Sequence, residues 1–141
     1  MILVPSKNMR VLGDPKAQPR PRATTRGGKF ARVYNPSTAT AWKKLLVAAS
    51  NADRLGDKPF AGSVNLRLTF VLRRPKKPKQ VHAIGKPDVD NLAKAVMDAL
   101  STAGWWNDDA QVTMLVVTKQ YTEGTGFYKD PGVFINAWED V

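Results

Sequence analysis

Val64-Asn65-Leu66-Arg67-Leu68-Thr69-Phe70-Val71-Leu72 is the stretch that decides the fold class. Val64, Leu66, Leu68, Phe70 and Leu72 alternate with Asn65, Arg67, Thr69 and Val71, which is the period of an extended chain with one face in a core. A break at Gly56–Gly62 precedes the strand. The basic loop Arg73-Arg74-Pro75-Lys76-Lys77-Pro78-Lys79 follows, and its prolines cannot continue a central strand. Downstream the period changes. Leu92, Val96, Ala99, Leu100 and Ala103 form the apolar stripe of a helix, with Asp90 or Asn91 to cap its start and Gly104 to stop it. A strand is expected at about Val112–Tyr121, a turn at Glu123–Gly126 and a last strand at about Val133–Ala137. Upstream, Asn35-Pro36-Ser37 predicts a helix start, with Trp42, Leu45, Leu46 and Ala49 as its apolar face through about Ala52. Lys43 and Lys44 fall largely off that face. With a weak first strand near Met1–Val4, the order is β-α-β-α-β-β. The expectation is a single α+β domain over residues 1–141, a small mixed sheet with two main helices. Residues 1–34 read as an extended basic arm, because Pro5, Gly13, Pro15, Pro19, Pro21 and Gly27-Gly28 break any regular period.

At 141 residues, 43% of them hydrophobic and 24% charged, the chain can bury a core without staples. It has no cysteine, so disulfides, thiolate ligands and a cysteine nucleophile are excluded. The longest apolar run, Leu45–Ala49, is far short of the ~20 residues that cross a bilayer. A cytoplasmic protein with no membrane partner is expected. Charge is divided unevenly. Residues 1–86 hold 19 of the 22 Lys and Arg but 3 of the 12 Asp and Glu. Residues 87–141 carry 3 basic and 9 acidic residues. A formal net charge of +10, concentrated in Pro- and Gly-rich segments rather than on an amphipathic helix, favours nucleic acid over a membrane surface.

The acidic residues carry the chemistry. Lys86-Pro87-Asp88-Val89-Asp90-Asn91-Leu92-Ala93-Lys94 is followed by Gly104-Trp105-Trp106-Asn107-Asp108-Asp109-Ala110-Gln111. In extended backbone Asp88 and Asp90 share a face just before the helix. Asn91, Lys94 and Asp98, spaced i, i+3, i+7, extend one helix stripe beside them. Asp108 and Asp109 lie where the chain returns toward a strand, so one of them can come back to the first pair; spacing alone does not say which. Clustered carboxylates in a basic protein repel phosphate unless a hard cation lies between them. Oxygen ligands without a His or Cys cluster suit Mg²⁺, with Mn²⁺ as a possible substitute. Such a site can activate water and stabilise a leaving oxygen, with Lys94 answering the charge that develops on phosphate.

Each of these residues also has a plainer reading. Asp-x-Asp-Asn before a helix is common capping chemistry, and Lys94 with Asp98 makes an ordinary i,i+4 pair. His82 reads as a polar loop residue. Trp105 and Trp106 can stack on bases, but anchoring the helix-to-strand turn is the stronger expectation. The rival functions are a flap or fork nuclease on the same scaffold and a non-catalytic basic DNA-binding protein.

Taken together, Pro87–Lys94, Met97-Asp98-Ala99-Leu100 and Gly104–Val112 closely resemble the RusA family of Holliday-junction resolvases. Gly13-Asp14-Pro15-Lys16, Arg20-Pro21-Arg22 and Val33-Tyr34-Asn35-Pro36 resemble the start of its phage and prophage members. The resemblance covers roughly residues 11–138. It implies a homodimeric, Mg²⁺-dependent endonuclease acting on four-way junctions in recombination and repair, without an organic cofactor. It also implies metal-binding catalytic carboxylates at Asp88, Asp90 and Asp109, a catalytic Lys94, and Asp108 in support; Asn91 matches the family's Asp-Asn step. Lys16, Arg20, Arg22, Arg73, Arg74, Lys76, Lys77, Lys79 and Lys86 are the expected backbone-binding residues. Two departures bear on substrate preference. Thr122–Gly132 is longer than the compact hairpin of the best-known members, and the segment before Gly13 is extended.

Overall fold

The alternation at Val64–Leu72 forms the centre of a four-stranded sheet. In the computed structural model, which describes residues 6–19, 22–24, 32–34, 39–51, 58–76 and 81–140, the elements are β1 (Ser6–Leu12), β2 (Arg22–Thr24), β3 (Arg32–Tyr34), α1 (Thr40–Ser50), β4 (Val64–Leu72), α2 (Val89–Thr102), β5 (Val112–Tyr121) and β6 (Gly132–Glu139), with a 3₁₀ turn at Asp109–Gln111. The main sheet runs β1-β6-β4-β5. β4 pairs antiparallel with β6 and parallel with β5, so the sheet is mixed and the domain is α+β. Val64, Leu66, Leu68 and Phe70 are fully buried, and they share one core with Trp42 and Leu46 of α1 and with Leu92, Val96 and Leu100 of α2. At about 25 cal/mol per Å² of apolar surface, each large side chain in that core contributes on the order of 2 kcal/mol.

The end of α2 is set by Gly104. Its φ of +86° is open to glycine at low cost. The Gly104 N–H donates to the Ser101 carbonyl (3.1 Å) and the Trp105 N–H to the Leu100 carbonyl (3.0 Å), the paired bonds of a Schellman stop. The turn sends Trp105 and Trp106 into the core, where each is 1% exposed. A buried indole is not a base-stacking platform, and the anchoring role is the one observed.

Several sequence expectations need correction. Ser6–Leu12 is not arm but strand β1, paired antiparallel with β6 from Ser6↔Trp138 to Leu12↔Gly132. Lys7, Met9 and Val11 turn inward along it, and with a lysine among the three the apolar alternation is too short to register as a strand against Pro5 and Gly13. Arg22–Thr24 and Arg32–Tyr34 form a separate two-stranded antiparallel sheet within the same expected arm. The expected strand at Met1–Val4 lies outside the described residues. So does the expected α1 start at Asn35-Pro36-Ser37; the observed N-cap is Ala39, which offers no side-chain bond. Leu45, expected on the buried face of α1, is 44% exposed. β6 reaches beyond Ala137 to Glu139, and it begins at Gly132, where an added Cβ would collide with the Val11 carbonyl.

Candidate active site

α2 starts two to three residues earlier than a cap at Asp90 or Asn91 would give. Asp88 is the N-cap and its side chain accepts no capping hydrogen bond, while Asp90 lies within the first turn. Capping by Asp90 or Asn91 is therefore not what starts this helix, and its first-turn carboxylate complements the positive end of the helix dipole. The Lys86–Pro87 peptide leading into the helix is cis. Lys119 of β5 fastens this approach by donating to the Gly85 carbonyl (2.6 Å) and the Pro87 carbonyl (2.8 Å).

The second acidic pair divides its labour. Asp108 caps the 3₁₀ turn: its carboxylate accepts from the Ala110 N–H (2.8 Å), and Gln111 Oε1 accepts in return from the Asp108 N–H (3.1 Å) and the Asn107 N–H (2.8 Å). Gln111 Nε2 then donates to the Phe60 carbonyl (2.8 Å), tying the turn to the chain before β4. Asp109 instead points at α2. Its Oδ1 accepts from Trp106 Nε1 (2.8 Å) and from the Ser101 hydroxyl, and its Oδ2 lies 3.7 Å from Lys94 Nζ. Neighbouring residues face opposite ways, and the tight turn makes Asp109 the inward one.

Lys94 bridges two acids. Nζ donates to Asp98 Oδ1 at 2.9 Å as well as facing Asp109. Asp98 Oδ2 also meets Lys43 Nζ of α1 at 3.5 Å, a residue that helix periodicity placed largely off the apolar face. The hydrogen bond that Lys94 donates to Asp98, with help from the charges of Asp98 and Asp109, raises the Lys94 pKa above its ordinary value despite some desolvation. Lys94 is thus a fixed positive charge at neutral pH and not a base. Asp90 and Lys94 also border an apolar groove of about 340 Å³ between α2 and β5, lined further by Val89, Ala93, Met97 and Leu115.

The donor set is all oxygen. The chain has no cysteine, and its one histidine, His82, sits exposed in the loop before α2. That chemistry fits a hard cation. The geometry is only half assembled: among the described residues no three acidic or histidine side chains converge closely enough to hold an ion. Of the expected backbone-binding residues, Lys16, Arg73, Arg74, Lys76 and Lys86 are exposed. Arg73 lies 3.4 Å from Asp14, and Arg74 stacks over Tyr121 at 5.3 Å and donates to the Thr122 carbonyl. Arg20, Lys77 and Lys79, and the side chain of Arg22, lie outside the described residues. Because β4 and β5 are parallel, Arg73 and Arg74 at the end of β4 share one end of the sheet with Tyr121 and with the Gly85–Pro87 approach to α2.

Sequence reasoning did not single out Ser101, Lys43 or the acid-binding role of Trp106. Ser101 carried a signal, since it continues the Lys94–Asp98 stripe by one more turn. Lys43 carried none, because its position depends on how α1 crosses α2.

The fold and the site define a small α+β protein in which one lysine bridges two carboxylates, with exposed basic residues at one end of the sheet. The family model for endodeoxyribonuclease RusA matches residues 13–135, and the chain belongs to that family. It is 33% identical over 125 residues to YqaN of Bacillus subtilis, across 80% of this chain and 86% of that protein. It is also similar to the crossover junction endodeoxyribonuclease RusA of Escherichia coli K12, 59% identical over 32 residues, which is 23% of this chain and 27% of the relative. The same short match holds for the RusA of Shigella sonnei. Among the described residues no helix is long and apolar enough to cross a membrane.

Proposed function

We propose that the chain is a Mg²⁺-dependent, structure-selective endodeoxyribonuclease that resolves four-way DNA junctions by paired nicking, working as a homodimer. The observation that carries this reading is the placement of Lys94 between Asp98 and Asp109 on the same groove as Asp90, in a member of the RusA family. Asp88, Asp90 and Asp109 are the residues that would hold the ion, with Asp108 supporting them through the turn it caps. A bound Mg²⁺ supplies a Lewis acid for the phosphate and lowers the pKa of water. Because the three carboxylates are not already gathered, ion binding and side-chain reorientation go together. Lys94, kept protonated by its two acids, stabilises negative charge on the phosphodiester. Lys16, Arg73, Arg74, Lys76 and Lys86 bind the DNA backbone without reading sequence, and so the affinity falls with salt.

Two active sites are needed for paired cuts, and the outer edge of the sheet supports a dimer. Among the described residues β5 pairs only with β4, and its Met114, Leu115 and Val116 are 41%, 43% and 38% exposed. A ten-residue apolar edge strand is a template for pairing with another copy.

End-labelled four-way junction, linear duplex and flap, each with and without Mg²⁺, test the reading beside the Asp90→Asn protein. Symmetric, metal-dependent nicks on the junction that vanish in the variant are expected. Binding with no product at any Mg²⁺ concentration, or equal cutting of all three substrates, would overturn it.

A further inference from the structure

One carboxylate of the proposed site is held by donors of the protein itself. Asp109 opens the 3₁₀ turn, where a short acidic side chain has two rotatable bonds and solvent on one side. Both rotations are fixed because two donors from different elements share Oδ1. Trp106 Nε1 reaches it at 2.8 Å and the Ser101 hydroxyl reaches it from the last turn of α2. The donors are linked to each other as well, for Trp106 Nε1 lies 2.6 Å from Ser101 Oγ. An indole N–H can only donate, and in a ring 1% exposed it must find an acceptor. Bonds to an ionised carboxylate are roughly twice as strong as those between neutral groups. With Oδ1 so occupied, Oδ2 faces Lys94 at 3.7 Å.

We infer that Trp106 and Ser101 are positioning residues for Asp109: they hold Oδ1 so that Oδ2 is presented to the ion and to Lys94. The inference rests on the metal-dependent reading above and deepens it. Outer partners of this kind typically govern metal affinity by 10–100-fold. The competing account is that Asp109 merely satisfies a buried indole, in which case losing the donors costs stability and nothing else.

Mn²⁺ binding to the full-length protein without DNA, followed by the electron paramagnetic resonance of free Mn²⁺, separates the two accounts. Trp106→Phe keeps the ring and removes the donor, Ser101→Ala removes the hydroxyl, and Ser101→Thr restores it. Affinity should fall about 10–100-fold in the first two and return close to wild type in the third. Unchanged affinity in folded Trp106→Phe and Ser101→Ala proteins overturns the inference. A metal-free readout keeps its failure distinct from failure of the metal reading: Asp109→Asn should shift the Trp106 indole N–H resonance and hasten its exchange with solvent. An unmoved resonance overturns the inference whatever the metal does. A wild-type protein that takes up no Mn²⁺ overturns the metal reading, and the indole resonance then decides the contact alone.

Discussion

The two acidic pairs of this chain are built on different plans. At Asp108-Asp109 the described polar contacts interlock: one carboxylate caps its own turn, and the other is held by an indole and a hydroxyl. At Asp88 and Asp90 the carboxylates stand at a helix start with no side-chain cap. Asp108 and Asp109 are thus held by groups of the protein itself, whereas Asp88, the helix N-cap, accepts no side-chain capping bond. The contrast implies a site with a fixed jaw and an adjustable one. Loss of a fixed-jaw residue should therefore affect protein and chemistry together, whereas loss of an adjustable-jaw residue should affect chemistry alone.

The largest effect should come from the adjustable side. Asp90→Asn is expected to abolish junction cleavage while junction binding stays at the wild-type value and stability falls by no more than the ~0.3–1 kcal/mol that a first-turn charge contributes; a larger loss of stability would erase the contrast. Lys94→Ala comes next, with a fall in kcat of roughly 10²–10³-fold and a normal circular dichroism spectrum. Replacing Asp108 by Ala removes a cap and should cost about 1 kcal/mol of stability by denaturant titration. It should lower cleavage by much less than the Lys94 change. The smallest effect is in pH. The raised Lys94 pKa means that its ion pairs contribute in full below the ordinary lysine value of 10.5 and are lost as pH rises through the higher folded value. The stability gap between wild type and Lys94→Met should stay flat from neutrality to about pH 10 and narrow above it; a gap that closes between pH 7 and 9 would contradict the bridging arrangement.

The legible parts of the fold were those with long, uninterrupted periods. β4 spans Val64 to Leu72 as its alternation predicts, although Asn65 and Val71 on the other face are buried as well, and the five residues expected on the α2 stripe are all buried. β1 was not legible, since a short outer strand needs few apolar residues when its ladder is completed by a distant partner, here β6 at the far end of the chain. The acidic positions were legible as types in sequence, but not their orientation. Which of Asp108 and Asp109 turns inward depends on one 3₁₀ turn, and that turn depends on Gln111 reaching the Phe60 carbonyl about fifty residues away. The Lys43–Asp98 contact likewise exists only because two helices cross.

Gly104 joins matters that are usually separate. Its left-handed backbone directs Trp105 toward α1, where the indole donates to the Ser50 carbonyl at 2.7 Å, and directs the next indole toward Asp109. A side chain at Gly104 would strain the turn that aims both rings. On the proposed reading, stability and reactivity at this corner are therefore inherited as a single trait: a chain drifting through this position cannot trade some of one for more of the other.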